Sequence, residues 1–151
     1  MLNAELTETL HKLATFLAPT EDPWWVLGSA AVALKGYDPG HVGDVDVLVS
    51  VEDAKRLIAR WSVRNRIDGG TDLYRSSYFL LPDLGAVRVE IMAGYQIKQG
   101  GHWQDVRPTS REVVELDGAE IFVPSDVELI GLFEQLDRDK DKLRIAAMKP
   151  F

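Results

Sequence analysis

Leu6, Leu10, Leu13, Phe16 and Leu17 recur at spacings of three and four near the start of the chain, so residues 3–17 predict an amphipathic helix. Ala18-Pro19-Thr20 and Asp22-Pro23 end it. The apolar run at 24–27 (Trp-Trp-Val-Leu) predicts a buried strand closed by Gly28-Ser29, and residues 30–36 a short helix stopped at Gly36. After a turn-forming stretch at 37–43 the period changes. Residues 44–50 alternate Val45, Val47 and Val49 against Asp44, Asp46 and Leu48, the two-residue repeat of a strand with one face in the core. Ser50 is placed to cap a helix from about Val51 to Trp61, with Asp53 in its first turn.

Residues 71–81 and 86–92 predict two antiparallel strands joined by a turn at 82–85. Residues 94–108 show no clear periodicity and predict a loop or short helix. Residues 113–116 and 119–123 flank Asp117-Gly118, a strong hairpin signal. Ser125-Asp126-Val127-Glu128 matches a capping box, and the helix it opens runs through Leu129, Ile130, Leu132, Phe133 and Leu136. A last helix at about 138–148 follows the charged run at 137–142. The expected architecture is one α/β (α+β) domain, a mixed sheet flanked by helices, with a core at about 24–123 and C-terminal helices at about 125–148.

Composition narrows the chemistry. With 46% apolar and 27% charged residues in 151, the balance is that of a globular domain. No apolar run approaches the roughly 20 residues of a membrane-spanning helix, and Glu5, Thr7 and Glu8 stand where a signal peptide needs a basic start. A cytoplasmic location is expected. The absence of cysteine excludes disulfides, thiolate metal sites and cysteine nucleophiles. His11, His41 and His102 lack metal-ligand spacing. A net charge of −7 argues against broad, unspecific binding to nucleic acid, although a local basic cleft stays compatible with it.

Asp44 and Asp46 stand two apart in a strand, so both carboxylates project from one face, about 6.5–7 Å apart along the backbone. Side-by-side acids repel unless a positive charge lies between them, and a divalent cation held by carboxylates and substrate phosphates supplies one. A half-exposed strand with a polar outer face is the plainer explanation. Gly28-Ser29 at a strand-to-helix turn adds a place where backbone approaches a phosphate. Glu90, alternating with the core-facing Val87, Val89 and Ile91, adds a third acid, or else only a partner for Arg88. Three carboxylates suit a two-metal phosphoryl-transfer site.

Leu27-Gly28-Ser29, then Asp44-Val45-Asp46-Val47, then an acid on a later strand resembles the nucleotidyltransferase superfamily typified by DNA polymerase beta. The match is to its small bacterial members, among them antibiotic nucleotidyltransferases and proteins of toxin–antitoxin pairs. The stretch from Val123-Pro124-Ser125 to Ile130, and Arg138-Asp139-Lys140-Asp141 opening the last helix, are similar to them too. The resemblance implies that Asp44, Asp46 and Glu90 hold Mg²⁺, that Glu90 helps to deprotonate the acceptor hydroxyl, that Gly28 and Ser29 contact phosphates, and that a nucleoside monophosphate passes from an NTP, commonly ATP, to that hydroxyl. The acceptor it implies is a small antibiotic-like alcohol, a tRNA end or a partner protein's side chain, with a homodimer or partner completing the cleft. Val42 and Phe133 depart from the family pattern, which more often has a hydroxyl residue and a lysine there. They favour the alternative of a degenerate binding or regulatory module.

Other residues are weighed more evenly. Arg75, on the strand with Tyr78, and Arg88 either meet the triphosphate or pair with local acids, and Lys140 either reaches phosphates or sits on a solvated helix start. His41 lies near the nucleotide or in solvent. Trp24 and Trp25 read as one core and one surface aromatic, and Trp103 as a candidate for substrate contact.

Overall fold

The computed structural model describes residues 2–67 and 69–149. Helix α1 (Ala4–Phe16) opens on Asn3, whose side chain accepts the Leu6 N–H, and buries Leu6, Leu10, Leu13 and Phe16 on one face. Strand β1 (Trp25–Leu27) leads directly into α2 (Gly28–Leu34). Strand β2 (Asp44–Val49) follows, then α3 (Val51–Trp61), capped by the Ser50 hydroxyl as its residue type requires. Asp53 does more than sit in the first turn of α3. Its buried carboxylate accepts the N–H groups of Glu21 and Asp22 at 2.8 and 2.9 Å and pairs with Arg56 at 2.7 Å, pinning the preceding loop.

The expected strand at 71–81 divides in two. Strand β3 (Tyr74–Arg75) and strand β4 (Tyr78–Leu80) belong to different sheets. The cause lies at the corner between them. Ser77 donates to the Ala93 carbonyl at 2.9 Å, beyond which Gly94 turns with φ +64°. A Cβ on Gly94 would stand 2.6 Å from the Ser77 Oγ, so only glycine allows the two chains to change sheets together. Strand β5 (Arg88–Ala93) pairs antiparallel with β4, as expected, and parallel with β2. The principal sheet is therefore mixed, in the order β1-β2-β5-β4.

Residues 94–108 are not a loop or short helix. They form the hairpin of β6 (Gln96–Gln99) and β7 (His102–Asp105) around Gly100-Gly101, both at positive φ. Most of its side chains are wet on both faces, and only Ile97 is fully buried, so no two-residue hydrophobic repeat betrays it. Strands β8 (Glu112–Leu116) and β9 (Ala119–Val123) make the expected hairpin about Asp117-Gly118. Helix α4 (Asp126–Leu136) has half of its capping box: the Ser125 hydroxyl accepts the Glu128 N–H. The Glu128 carboxylate turns away, to the N–H groups of Thr109 and Ser110 and the Ser110 hydroxyl. Helix α5 (Asp139–Met148) is the last element among the described residues.

Two apolar clusters lie on the two faces of the sheet. The larger joins Val45, Val47, Val49, Val89 and Ile91 to α1, α2 and the C-terminal helices. The smaller gathers Leu48, Met92, Tyr95 and Ile97 on the face that also carries Asp44, Asp46 and Glu90. No helix is long and apolar enough to cross a membrane among the described residues.

Candidate active site

Parallel pairing of β2 with β5 sets Asp46 opposite Glu90 and Asp44 opposite Arg88. Because facing residues share a side of the sheet, the three acids converge. One carboxylate oxygen from each of Asp44, Asp46 and Glu90 lies within 4.8 Å of the others. Gly28, first in α2 with φ +66°, closes in from β1, the other neighbour of β2. A Cβ there would sit 2.8 Å from Asp46 Oδ2, so glycine is what lets the helix start lie against the carboxylate.

The electrostatics follow from this crowding. Burial, with the neighbouring charges of Asp44 and Glu90, pushes the Asp46 carboxyl up from 3.8 to about 7, and Arg144 and Arg138 only partly offset it. Tyr95, buried behind Asp46, is raised for the same two reasons. Arg88 donates to Glu90 at 2.8 Å, so the arginine partnership and the acid cluster coexist at one residue.

Cations reach the cleft from α5. Arg138, Lys140 and Arg144 line it together with Gly28 and the acids, while Leu129, Leu132 and Phe133 of α4 form an apolar wall. About 100 Å³ is open there, room for phosphate groups rather than a whole nucleotide. Arg138 and Arg144 are held by Asp141, which is fully buried. Its carboxylate accepts Arg138 Nε at 2.7 Å, Arg138 Nη2 at 3.0 Å and Arg144 Nη1 at 3.5 Å. Sequence reasoning singled out Lys140 for phosphate contact, named Arg138 only within the motif that opens the last helix, and passed over Arg144. The signal was Arg138, Asp141 and Arg144 at spacings of three, one face of a helix inside a charged run. Phe133 is buried at the cleft, with the Arg144 guanidinium 5.6 Å from its ring centre.

The remaining candidates fall elsewhere. Ser29 is buried as the second residue of α2. Arg75 and Arg88 line a second pocket of about 200 Å³, which shares Glu90, Tyr74, Met92 and Tyr95 with the first. Arg75 lies over the Trp103 ring at 4.2 Å and donates to Gln96 at 2.7 Å. His41 is exposed in the loop before β2. Trp24 is buried and Trp25 half-buried, its indole N–H donating to the Ser110 carbonyl.

No protein-family model matches the sequence, and no similar sequence is found among curated proteins. Solved structures do match. A Thermotoga maritima protein assigned as a nucleotidyltransferase superposes with a TM-score of 0.77 at 26% identity, over 94% of this chain and 91% of that one. The antibiotic-resistance factor ANT(2'')-Ia, in its solution structure, gives 0.59 at 12% identity over 99% of this chain and 85% of its own. An antigenic nucleotidyltransferase-like protein from Paracoccidioides brasiliensis gives 0.57 at 17% identity, over 99% and 78%. With the mixed sheet and its converging acids, these similarities give the chain the fold of the nucleotidyltransferase superfamily, a class of enzymes that transfer nucleotides.

Proposed function

We propose that the chain transfers a nucleoside monophosphate from an NTP, ATP in the first instance, to a hydroxyl acceptor, with Mg²⁺ held by Asp44, Asp46 and Glu90. The observation that carries this is the convergence of three carboxylates within 4.8 Å, faced by Arg138, Lys140 and Arg144 across one cleft. The donor set fits the ion. It is all oxygen, with no thiolate or imidazole, and burial together with the charges of Asp44 and Glu90 drives Asp46 toward protonation, a repulsion that a bound cation would relieve. When bound, Mg²⁺ would supply charge neutralisation between the carboxylates and the triphosphate.

The chain's own residues do the rest. Arg138 and Arg144, held by Asp141, bind the phosphates as fixed cations, and Lys140 adds a third charge from the rim of the cleft. Gly28 and the start of α2 complete the cradle, Ser29 from within the helix. The sugar and base extend past the narrow cleft along the apolar wall of α4. Glu90 takes the acceptor's proton. Where the family pattern more often has a lysine on the penultimate helix this chain has Phe133, and Arg138 at the cap of α5, with Lys140 and Arg144 within it, supplies the charge in its stead.

Thermal unfolding with each of the four NTPs, with and without Mg²⁺, tests the reading. A ligand that binds only the native state stabilises it by about 2.7 kcal/mol at a hundredfold excess over its dissociation constant. The expected result is a rise in midpoint that requires both NTP and Mg²⁺ and disappears when Asp44→Asn and Asp46→Asn are combined. A shift of unchanged Mg²⁺ dependence in that double variant refutes the site. No shift for any nucleotide favours the degenerate binding module that Val42 and Phe133 suggest.

A further inference from the structure

Of the three acids, Glu90 alone lines both recesses; Asp44 and Asp46 line the first only. A group that removes the acceptor's proton must touch the hydroxyl while the nucleotide phosphates occupy the neighbouring cleft, and Glu90 is the carboxylate so placed. From this geometry we infer that the second pocket receives the acceptor, and that the acceptor is a small hydroxyl compound carrying a phosphate or carboxylate close to its reacting oxygen. The inference rests on the nucleotide-transfer reading above.

Charge and size decide the class. Arg75 and Arg88 stand in the pocket wall, and Glu90 is the only acid in the lining among the described residues. A polycationic acceptor such as an aminoglycoside would meet two guanidinium groups there at a repulsive cost, whereas an anion gains charge-assisted hydrogen bonds. Arg75 is fixed for that task. Its guanidinium lies on the Trp103 ring and donates to Gln96, whose amide in turn donates to Asp105 at 2.9 Å. Arg88, with a side chain 57% exposed, reaches Glu90 from the solvent side and is free to turn toward an incoming anion. Tyr74 and Phe79 offer faces for a short carbon skeleton. At about 200 Å³ the pocket is smaller than the roughly 300–1,000 Å³ typical of drug-sized ligands.

The step balances with the NTP as the only other reactant. The acceptor oxygen attacks the α-phosphorus and forms the new O–P bond. The bond from the α-phosphorus to the bridging oxygen breaks, pyrophosphate leaves, and the hydroxyl proton passes to the Glu90 carboxylate.

Glycerol 3-phosphate is the probe, titrated by calorimetry into protein holding Mg²⁺ and a non-hydrolysable ATP analogue. The expected result is saturable binding that Arg75→Ala weakens at least tenfold, with Arg88→Ala as a second variant. Glycerol and tobramycin should show no heat, and Arg75→Ala should keep the wild-type midpoint shift with Mg²⁺ and nucleotide. With ATP itself, glycerol 3-phosphate should raise pyrophosphate release at least tenfold over glycerol. Unchanged binding in both arginine variants, or tobramycin binding as tightly as glycerol 3-phosphate, overturns the inference. A normal nucleotide shift without glycerol 3-phosphate binding refutes the acceptor class alone. Absence of any nucleotide shift in the wild-type protein refutes the underlying reading instead.

Discussion

Asp46 concentrates the tension of the cleft. It lies against Gly28, and burial, with the charges of Asp44 and Glu90 beside it, pushes its carboxyl up from 3.8 to about 7 in the metal-free fold. Between those values the native state holds a proton that the unfolded chain has released, so unfolding lets a proton go and rising pH favours it. Metal-free stability should therefore fall as pH rises from about 4 to about 7 and level off above. The span corresponds to about 2–4 kcal/mol. Asp46→Asn should raise the stability of the EDTA-treated protein by a similar amount at pH 8 and change it little at pH 4, as read by urea unfolding. The same variant should lose all stabilisation by Mg²⁺ and nucleotide. A gain in stability with intact nucleotide binding would confirm the crowding of Asp46 and remove it from the nucleotide site.

At the scale of elements, α5 brings to the cleft what α4 does not. Asp141 is buried without residual exposure and holds Arg138 and Arg144 in place, so the helix delivers two aimed guanidinium groups rather than a mobile charged end. Asp141→Ala should cost about 2–4 kcal/mol of stability, because it leaves two half-buried guanidinium groups without their partner. Asp141→Asn keeps the shape and some hydrogen bonds, and should fold. In it, nucleotide affinity should drop about tenfold while glycerol 3-phosphate binding, which depends on β3 and β5, stays as it was. Calorimetry with the two ligands separately distinguishes a positioning role from a general loss of folding. The β6–β7 hairpin plays the corresponding part on the other side, since Gln96 and Trp103 orient Arg75.

The molecule as a whole is tied across the sequence by a few polar contacts between distant segments. Lys35, just beyond α2, has a side chain only 5% exposed, and its ammonium meets Glu112 at 2.7 Å, Asp126 at 2.9 Å and the Pro124 carbonyl at 2.9 Å. It thereby joins the helix that begins at Gly28 to the β8–β9 hairpin and the start of α4. Both acids are 53% and 42% exposed and screened by water, so Lys35→Met should cost only about 1–3 kcal/mol in urea unfolding. Its nucleotide affinity at 25 °C should be that of the wild type. Glu128 makes a similar tie from α4 to the segment after β7. Burial raises its carboxyl, but the hydrogen bonds from Ser110 and Thr109 outweigh this and hold it below the ordinary glutamate value. That contribution is present above about pH 4.5 and fades as the pH falls.

What the residues determined alone was whatever a local period or cap encodes. The alternation at 44–50 specified β2 and the face its acids share, Ser50 and Ser125 specified two helix starts, and Asp117-Gly118 a hairpin. Gly28 was legible as a close-approach position, although the close neighbour in this fold is the Asp46 carboxylate. Tertiary structure decided the rest, because the deciding neighbours are distant in the chain. Only the parallel register of β2 and β5 makes Glu90 the third acid, and only the packing of α5 turns a charged run into the cationic wall of the cleft. The break between β3 and β4 depends on the contact of Ser77 with Gly94, and the β6–β7 hairpin has too little buried surface to leave a hydrophobic repeat. Periodicity records which side of an element is dry. It carries no information about which elements meet, and here the meeting of β5, α5 and the β6–β7 hairpin around Glu90 makes the site.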